Sequence, residues 1–349
     1  MTAAVNDQKL TGLDFFRYPP VGGENWAYAY ACAQVRVLAT QMLPRGVFVD
    51  MANAESFAAA VELLSGTEYA IDGRADSAAI ETMLLERRSA VRSLFADLMP
   101  NKATVMLIRS REDFANMRLA VRRVVTERPL GLDYSNEGCV PAEEFEEIFE
   151  QEDYARLPDY LQEAVEAAVL GYYEDKDIRQ IDYAIDRVEA EWWVRWAGPQ
   201  DCPFGLSLAR LQIDLHNLRT MLRLKAAERE ERDLFLPHGF VDRGKFVQGL
   251  DTAYEAIPAV FYATPYAELL DESIGYLRNE GSFLRLEQKC EDYLMGFLKT
   301  TGQITAGPQP VIAYLLIKEA EIRTVRMMLV GKKNSLSSKL MLDRLGHWM

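Results

Sequence analysis

The chain has 349 residues, with 53 acidic and 39 basic side chains, and its formal net charge is −14. Such a charge repels phosphate backbones, and the densest basic stretches hold only two charges, as in Lys332-Lys333, so the sequence predicts no nucleic-acid partner. Apolar residues make up 49% and charged residues 26% of the chain, which is typical of a folded globular protein and excludes an acidic disordered tail.

The amino-terminal residues Met1 to Leu10 contain no apolar run of signal-peptide length, and no stretch of the chain approaches about 18 uninterrupted apolar residues. We therefore expect no transmembrane segment. The four cysteines form no CxxC pair and are too few for a disulfide framework, which favours a reducing cytosol. They are Cys32, Cys139, Cys202 and Cys290.

Proline and glycine clusters divide the chain into segments in which apolar residues recur three and four positions apart, so we predict an all-α protein. The one strand-like run, residues 46–50, is short, and the following Asn53-Ala54-Glu55-Ser56 is interpreted as the entry to another helix. The breaks lie at residues 18–23, 128–131, 198–205, 237–239 and 307–310. The clearest helical stripe is Leu208, Leu211, Leu215, Leu218 and Leu222.

An internal repeat is the most informative feature of the sequence. Two copies have the pattern acid, apolar, x, Asn, apolar, Arg, x, x, apolar, Arg, and a third, looser copy ends in Val330 in place of the final Arg. The copies begin about a hundred residues apart, which predicts three related helical modules, at residues 1–130, 131–236 and 237–349. Their polar positions are Asp113, Asn116, Arg118 and Arg122; Asp214, Asn217, Arg219 and Arg223; and Glu321, Thr324 and Arg326.

A helical wheel gives these positions structural or interface roles. In the first copy Phe114, Met117 and Val121 form one apolar stripe, with the acid and the amide on one side of it and the two arginines on the other. Arginines at i and i+4 repel each other slightly in isolation, so we expect each pair to meet carboxylates from another helix or another chain. A salt bridge between helices of one module is favoured over a partner-binding role.

A second, weaker repeat precedes the first. It consists of an amphipathic helix that ends at a small or acidic residue, any residue, Tyr and Ala, with the tyrosines at Tyr69, Tyr154 and Tyr266. We interpret it as a helix end with a packed tyrosine.

The search for chemical motifs predicts no catalytic residue, no cofactor and no metal site. Residues 239–246 match the spacing of a phosphate-binding loop until Phe246 replaces the required Ser or Thr, so a turn followed by a helix start is favoured. His216, His238 and His347 are not in a metal-binding spacing. The acid clusters at residues 143–147 and 150–153 lack the DDxxD pattern and are interpreted as a solvated helix face.

The sequence resembles the C-subunit family of bacterial and archaeal V-type and A-type rotary ATPases, whose eukaryotic V-ATPase equivalent is called the d subunit. The resemblance covers nearly the whole chain and rests on residues 26–36, 66–69, 113–118, 214–219 and 310–326, with Gly331-Lys332-Lys333 closing the last run. The departures are Thr324, where the family often has Asn, and His238, where it often has Gly.

The resemblance implies a funnel of three similar helical bundles with pseudo-threefold symmetry. Such a protein would lie on the cytoplasmic face of the membrane, bind the proteolipid ring and the central axle, and couple ATP hydrolysis or synthesis to proton or sodium translocation without an active site of its own. Two alternatives remain open at this point: a free-standing helical-repeat adaptor and an α-helical metal-dependent enzyme.

Overall fold

The computed structural model describes residues 18–128, 134–198 and 203–346, and every regular element within these ranges is helical, which confirms the all-α prediction. The predicted module boundary at residues 130 and 131, Cys202 and His347 lie outside the described residues. In chain order the α-helices are α1 (Ala29–Ala39), α2 (Arg45–Asn53), α3 (Phe57–Glu62), α4 (Ser77–Leu98), α5 (Lys102–Val125), α6 (Ala142–Gln151), α7 (Asp159–Asp175), α8 (Arg179–Ala197), α9 (Pro203–Ala226), α10 (Arg243–Asp251), α11 (Ile257–Val260), α12 (Ala267–Glu280), α13 (Leu284–Lys299), α14 (Pro308–Lys333) and α15 (Ser338–Arg344).

Local sequence explains where several of these helices begin. The side chains of Ser56, Asp76, Asn101 and Asp242 accept hydrogen bonds from backbone N–H groups in the first turns of α3, α4, α5 and α10. Each bond satisfies a donor that the helix itself leaves unpaired. The helix entry predicted at residues 53–56 is thus confirmed at Ser56.

The strand-like run at residues 46–50 is itself helical, because it lies within α2. The buried residues of α2 are Phe48, Met51 and Ala52, at the three- and four-residue spacing of a helix facing the core. The apparent alternation was too short to compete with this longer period.

The three copies of the repeat lie on the three longest helices. These are α5, α9 and α14, with 24, 24 and 26 residues. All five leucines of the stripe predicted on α9 are at most 1% exposed, so the stripe faces the core. The stripe predicted on α5 is equally buried.

The hydrophobic core has two main parts. One consists of residues from α5 to α8, with Phe114, Phe145, Leu161 and Ile185 among its members. The other, larger part joins the amino-terminal helices α1 to α4 to helices α9 to α15. Helix α14 packs along α4 and also contacts α1, α2 and α3, so the carboxy-terminal part of the chain closes on the amino-terminal part.

Among the described residues, no helix combines the length and the apolar character that a bilayer crossing requires.

Candidate functional site: three buried acids on the long helices

The second copy of the repeat places Asp214 in α9 with its side chain fully buried. Its carboxylate accepts hydrogen bonds from the N–H groups of Phe240 (3.2 Å) and Val241 (3.1 Å) and from the hydroxyl of Tyr266 (3.0 Å). A Cβ atom at residue 239 would come closer than 3.0 Å to the carboxylate, so the approach requires Gly239. The amides that mimic a phosphate-binding loop are therefore engaged by a carboxylate of the chain itself.

The first copy forms the same junction around Asp113 of α5. Its carboxylate accepts hydrogen bonds from the N–H groups of Cys139 (2.9 Å) and Val140 (3.1 Å) and from the hydroxyl of Tyr160 (2.7 Å). Gly138 stands in the same close position as its counterpart in the second copy. In both copies the two loop donors follow the acid by 26 and 27 positions, so the repeat extends beyond the motif.

The asparagines of the motif fix the start of the same loops. The side chain of Asn116 accepts a hydrogen bond from the N–H of Ser135 (2.8 Å) and donates one to the backbone carbonyl of Ser135 (2.9 Å). Asn217 makes the same pair of bonds to Leu236, again 19 positions later and at 2.8 and 2.9 Å. Thr324 instead donates to a carbonyl of its own helix, so the third copy lacks this contact.

The third junction draws on the opposite end of the chain. Glu321 of α14 is fully buried and accepts hydrogen bonds from the N–H of Leu43 (2.8 Å) and the hydroxyl of Tyr69 (2.6 Å), which are 278 and 252 positions away. Lys318, only 4% exposed, forms ion pairs with Glu321 and Glu68. This buried lysine has no counterpart in the repeat pattern.

The tyrosines that reach the acids are only partly those of the weaker repeat. Tyr69 and Tyr266 are buried and bonded as described. Tyr154 is half-buried and packs against Phe149, with ring centroids 5.2 Å apart, while the hydroxyl that binds the acid of the first copy belongs to Tyr160. Tyr160 stands in the first turn of α7, and Tyr266 stands directly before α12.

The arginines of the first copy meet carboxylates of a neighbouring helix. Arg118 forms ion pairs with Asp186 and with Glu189 (2.6 Å), and Arg122 forms one with Asp182. All three acids lie on α8. The charge of the paired arginines is thus compensated within the chain by a salt bridge between helices, as expected, but the bridge joins two predicted modules and does not lie inside one.

The other two copies make equivalent ion pairs. Arg219 and Arg223 form ion pairs with the same carboxylate, Glu287 of α13, at 2.7 and 2.8 Å. Arg219 and Glu287 are 68 positions apart in the sequence, the same separation as between Arg118 and Asp186 in the first copy. Arg326 pairs with Glu81 of α4 at 2.8 Å. Each motif helix is therefore joined to a second helix by an arginine ion pair.

Burial governs the protonation of these groups. It raises the pKa of the Asp214 carboxyl to about 7, although the three hydrogen bonds that this carboxylate accepts oppose the shift. Burial and the neighbouring carboxylate also raise the pKa of the hydroxyls of Tyr69, Tyr160 and Tyr266 far above the usual tyrosine range. These hydroxyls therefore remain protonated donors at neutral pH.

The junctions link the predicted modules to one another. Asp113 of the first predicted module bonds residues of the second, Asp214 of the second bonds residues of the third, and Glu321 of the third bonds residues of the first. The three acids thus belong to three separate junctions. No group of three His, Cys, Asp or Glu side chains that could hold a metal ion occurs among the residues that the structure describes.

Comparison with known proteins identifies the family. The model of the ATP synthase (C/AC39) subunit family matches residues 31–344. The C subunit of the V-type sodium ATPase of Enterococcus hirae is 24% identical over 87% of this chain and 94% of its own length. The C subunit of the V-type ATP synthase of Thermus thermophilus is 24% identical (88% and 94%), and that of the A-type ATP synthase of Methanosarcina acetivorans is 21% identical (91% and 92%). The chain therefore belongs to the ATP synthase (C/AC39) subunit family of V-type and A-type ATPases.

Proposed function

We propose that the chain is a non-catalytic rotor subunit of a V-type or A-type ATPase. In this role it joins the central axle to the proteolipid ring, on the cytoplasmic face of the membrane, so that ATP hydrolysis or synthesis is coupled to ion translocation. The family match over residues 31–344 carries the proposal, because it places the chain among subunits of such complexes.

The three junctions support this role physically. A part that transmits torque must resist bending, and a buried acid bonded to backbone amides and a tyrosine hydroxyl allows few alternative arrangements. Three such junctions, each linking one predicted module to the next, favour a body that turns as one unit. The funnel of three bundles is part of the same proposal.

The test is affinity purification of the tagged chain from solubilised membranes. We expect the catalytic, axle and proteolipid subunits of a V-type ATPase to co-elute with it. Elution alone, or with unrelated soluble proteins, would favour the adaptor alternative, and turnover of a substrate by the isolated chain would favour an enzyme.

A second measurement tests coupling itself. In membranes from cells that lack the chain, ATP hydrolysis by the headpiece should no longer drive ion uptake into vesicles, and a plasmid copy should restore uptake. Unchanged ion pumping without the chain would contradict the proposal.

A further inference from the structure

A groove between α9, α13, α14 and α15 collects positive charge on this acidic protein. It has a volume of about 470 Å³ and is lined by Arg219, Arg223, Arg323 and Arg344. The acidic side chains in the lining are Glu287 and Glu291. We call it the arginine groove, and its lining carries four positive and two negative charges.

The carboxylates in the arginine groove leave most of its donors unused. Glu287 binds Arg219 and Arg223, and Glu291 binds Arg323 at 3.4 Å, each arginine through one nitrogen. A guanidinium has five N–H donors in a planar fork, so several remain available on each side chain. Arg344 is exposed and has no ion-pair partner within residues 18–128, 134–198 and 203–346.

The arginine groove is open, and its lining includes two apolar side chains. The side chains of Arg223 and Arg323 are 58% and 60% exposed, so they can reorient towards a partner. Leu294 and Met295 line the groove beside them. An occupant with carboxylates along one side and an apolar residue between them would match both features.

We propose that the arginine groove binds an acidic segment of a partner protein. This inference rests on the proposed function, because the partner is expected among the other subunits of the ATPase complex. It adds to that function a surface and a charge for the contact, neither of which follows from the family match.

The geometry favours a protein segment over a small phosphate. Phosphate sites commonly use the N-terminal amides of a helix, where the helix dipole attracts anions. Two helix ends border the groove: α15 ends at Arg344, where the dipole repels anions, and the first turn of α13 already carries the carboxylate of Glu287. Exposed arginines spread along an open groove suit several carboxylates on one polypeptide.

The first experiment titrates the full chain with a peptide of ten glutamates at low ionic strength. The wild type and the control variant Arg232→Gln/Arg278→Gln, which removes two exposed arginines elsewhere, should bind with equal affinity, weakening as salt rises. The variant Arg323→Gln/Arg344→Gln should bind about 2- to 30-fold more weakly. No binding by the wild type, or equal binding by both variants, would overturn the proposal.

Arg344→Gln alone guards against a folding defect, because it breaks no ion pair among the described residues. It should melt with the wild type and still weaken peptide binding. A single variant that binds like the wild type would count against the proposal, even if the double variant were impaired.

The second experiment purifies the complex from membranes at increasing salt. The wild type and the control variant Arg232→Gln/Arg278→Gln should retain their partners to the same salt concentration. The variant Arg323→Gln/Arg344→Gln, called the groove variant below, should release one of these partners at a lower salt concentration. If the wild type brings down no other component of an ATPase, the proposed function fails while the peptide result stands. If the wild type does bring down other components of an ATPase, and the groove variant keeps them to the same salt concentration as the control variant, only the arginine groove proposal fails.

Discussion

Removing one hydroxyl from the second junction gives the sharpest test of the buried-acid geometry. Tyr266→Phe deletes the hydrogen bond to Asp214 and leaves the ring, which is fully buried, in place. The carboxylate keeps its two backbone donors, so the change isolates one bond.

The expected loss follows from the partners involved. Above about pH 8, where most Asp214 carboxyls are ionised, a hydrogen bond to this charged group contributes about 1.5–3 kcal/mol. An unfolding entropy of about 2.1 cal/mol/K per residue gives about 0.7 kcal/mol/K for the whole chain, so the melting temperature should fall by about 2–4 °C.

Tyr293→Phe is the matched control. Its ring packs against that of Tyr266, with centroids 5.3 Å apart, but its buried hydroxyl has no hydrogen-bond partner among the described residues. Deleting it should be neutral or slightly stabilising. The assay is urea unfolding followed by circular dichroism, with calorimetry for the melting temperatures. Equal stabilities of the two variants would refute the junction geometry.

Three further predictions concern the same region. Burial raises the pKa of Asp214 to about 7, whereas the pKa of this carboxyl in the unfolded chain is about 4, so the native state keeps the proton to higher pH. The unfolding free energy of the wild type minus that of Asp214→Asn should therefore fall as the pH rises from about 4 to about 7. A difference that rises over this range in urea titrations would contradict the prediction. Leu218 is fully buried, so Leu218→Ala should lower the unfolding free energy measured in urea by about 2–5 kcal/mol, and Leu218→Asp should show no cooperative melting transition. A variant that melts like the wild type would contradict the placement of Leu218 in the core. Gly239→Ala should lower the unfolding free energy by about 1–3 kcal/mol, because the added methyl group crowds the carboxylate of Asp214. Gly275→Ala, in an open helical position, should raise the unfolding free energy by about 0.5–1 kcal/mol. The same change in melting temperature for both variants would argue against the close approach of Gly239 to Asp214.

One departure from the family pattern has a structural counterpart. His238 has a φ of 70°, in the left-handed region, directly before the glycine that approaches Asp214. Glycine adopts this region without penalty, and histidine is one of the residues that tolerate it. Thr324, the other departure, forgoes the loop contact that asparagine makes in the first two copies.

The sequence by itself determined the helices and the repeat. The period of the leucines on α9 and the motif around Asp113 and Asp214 can be recognised without a structure, because residues three and four apart share a helix face wherever the helix packs. It also indicated that the paired arginines need carboxylates, since like charges one turn apart repel.

Only the tertiary structure decided which groups complete each junction. Nothing local marks Tyr160 in place of Tyr154, and nothing near Glu321 indicates that its donors are Leu43 and Tyr69, more than 250 positions earlier. A buried acid binds whichever donors the packing of distant segments brings to it. Helical period is encoded by neighbours along the chain, whereas the partners of a buried charge depend on how the whole chain closes on itself.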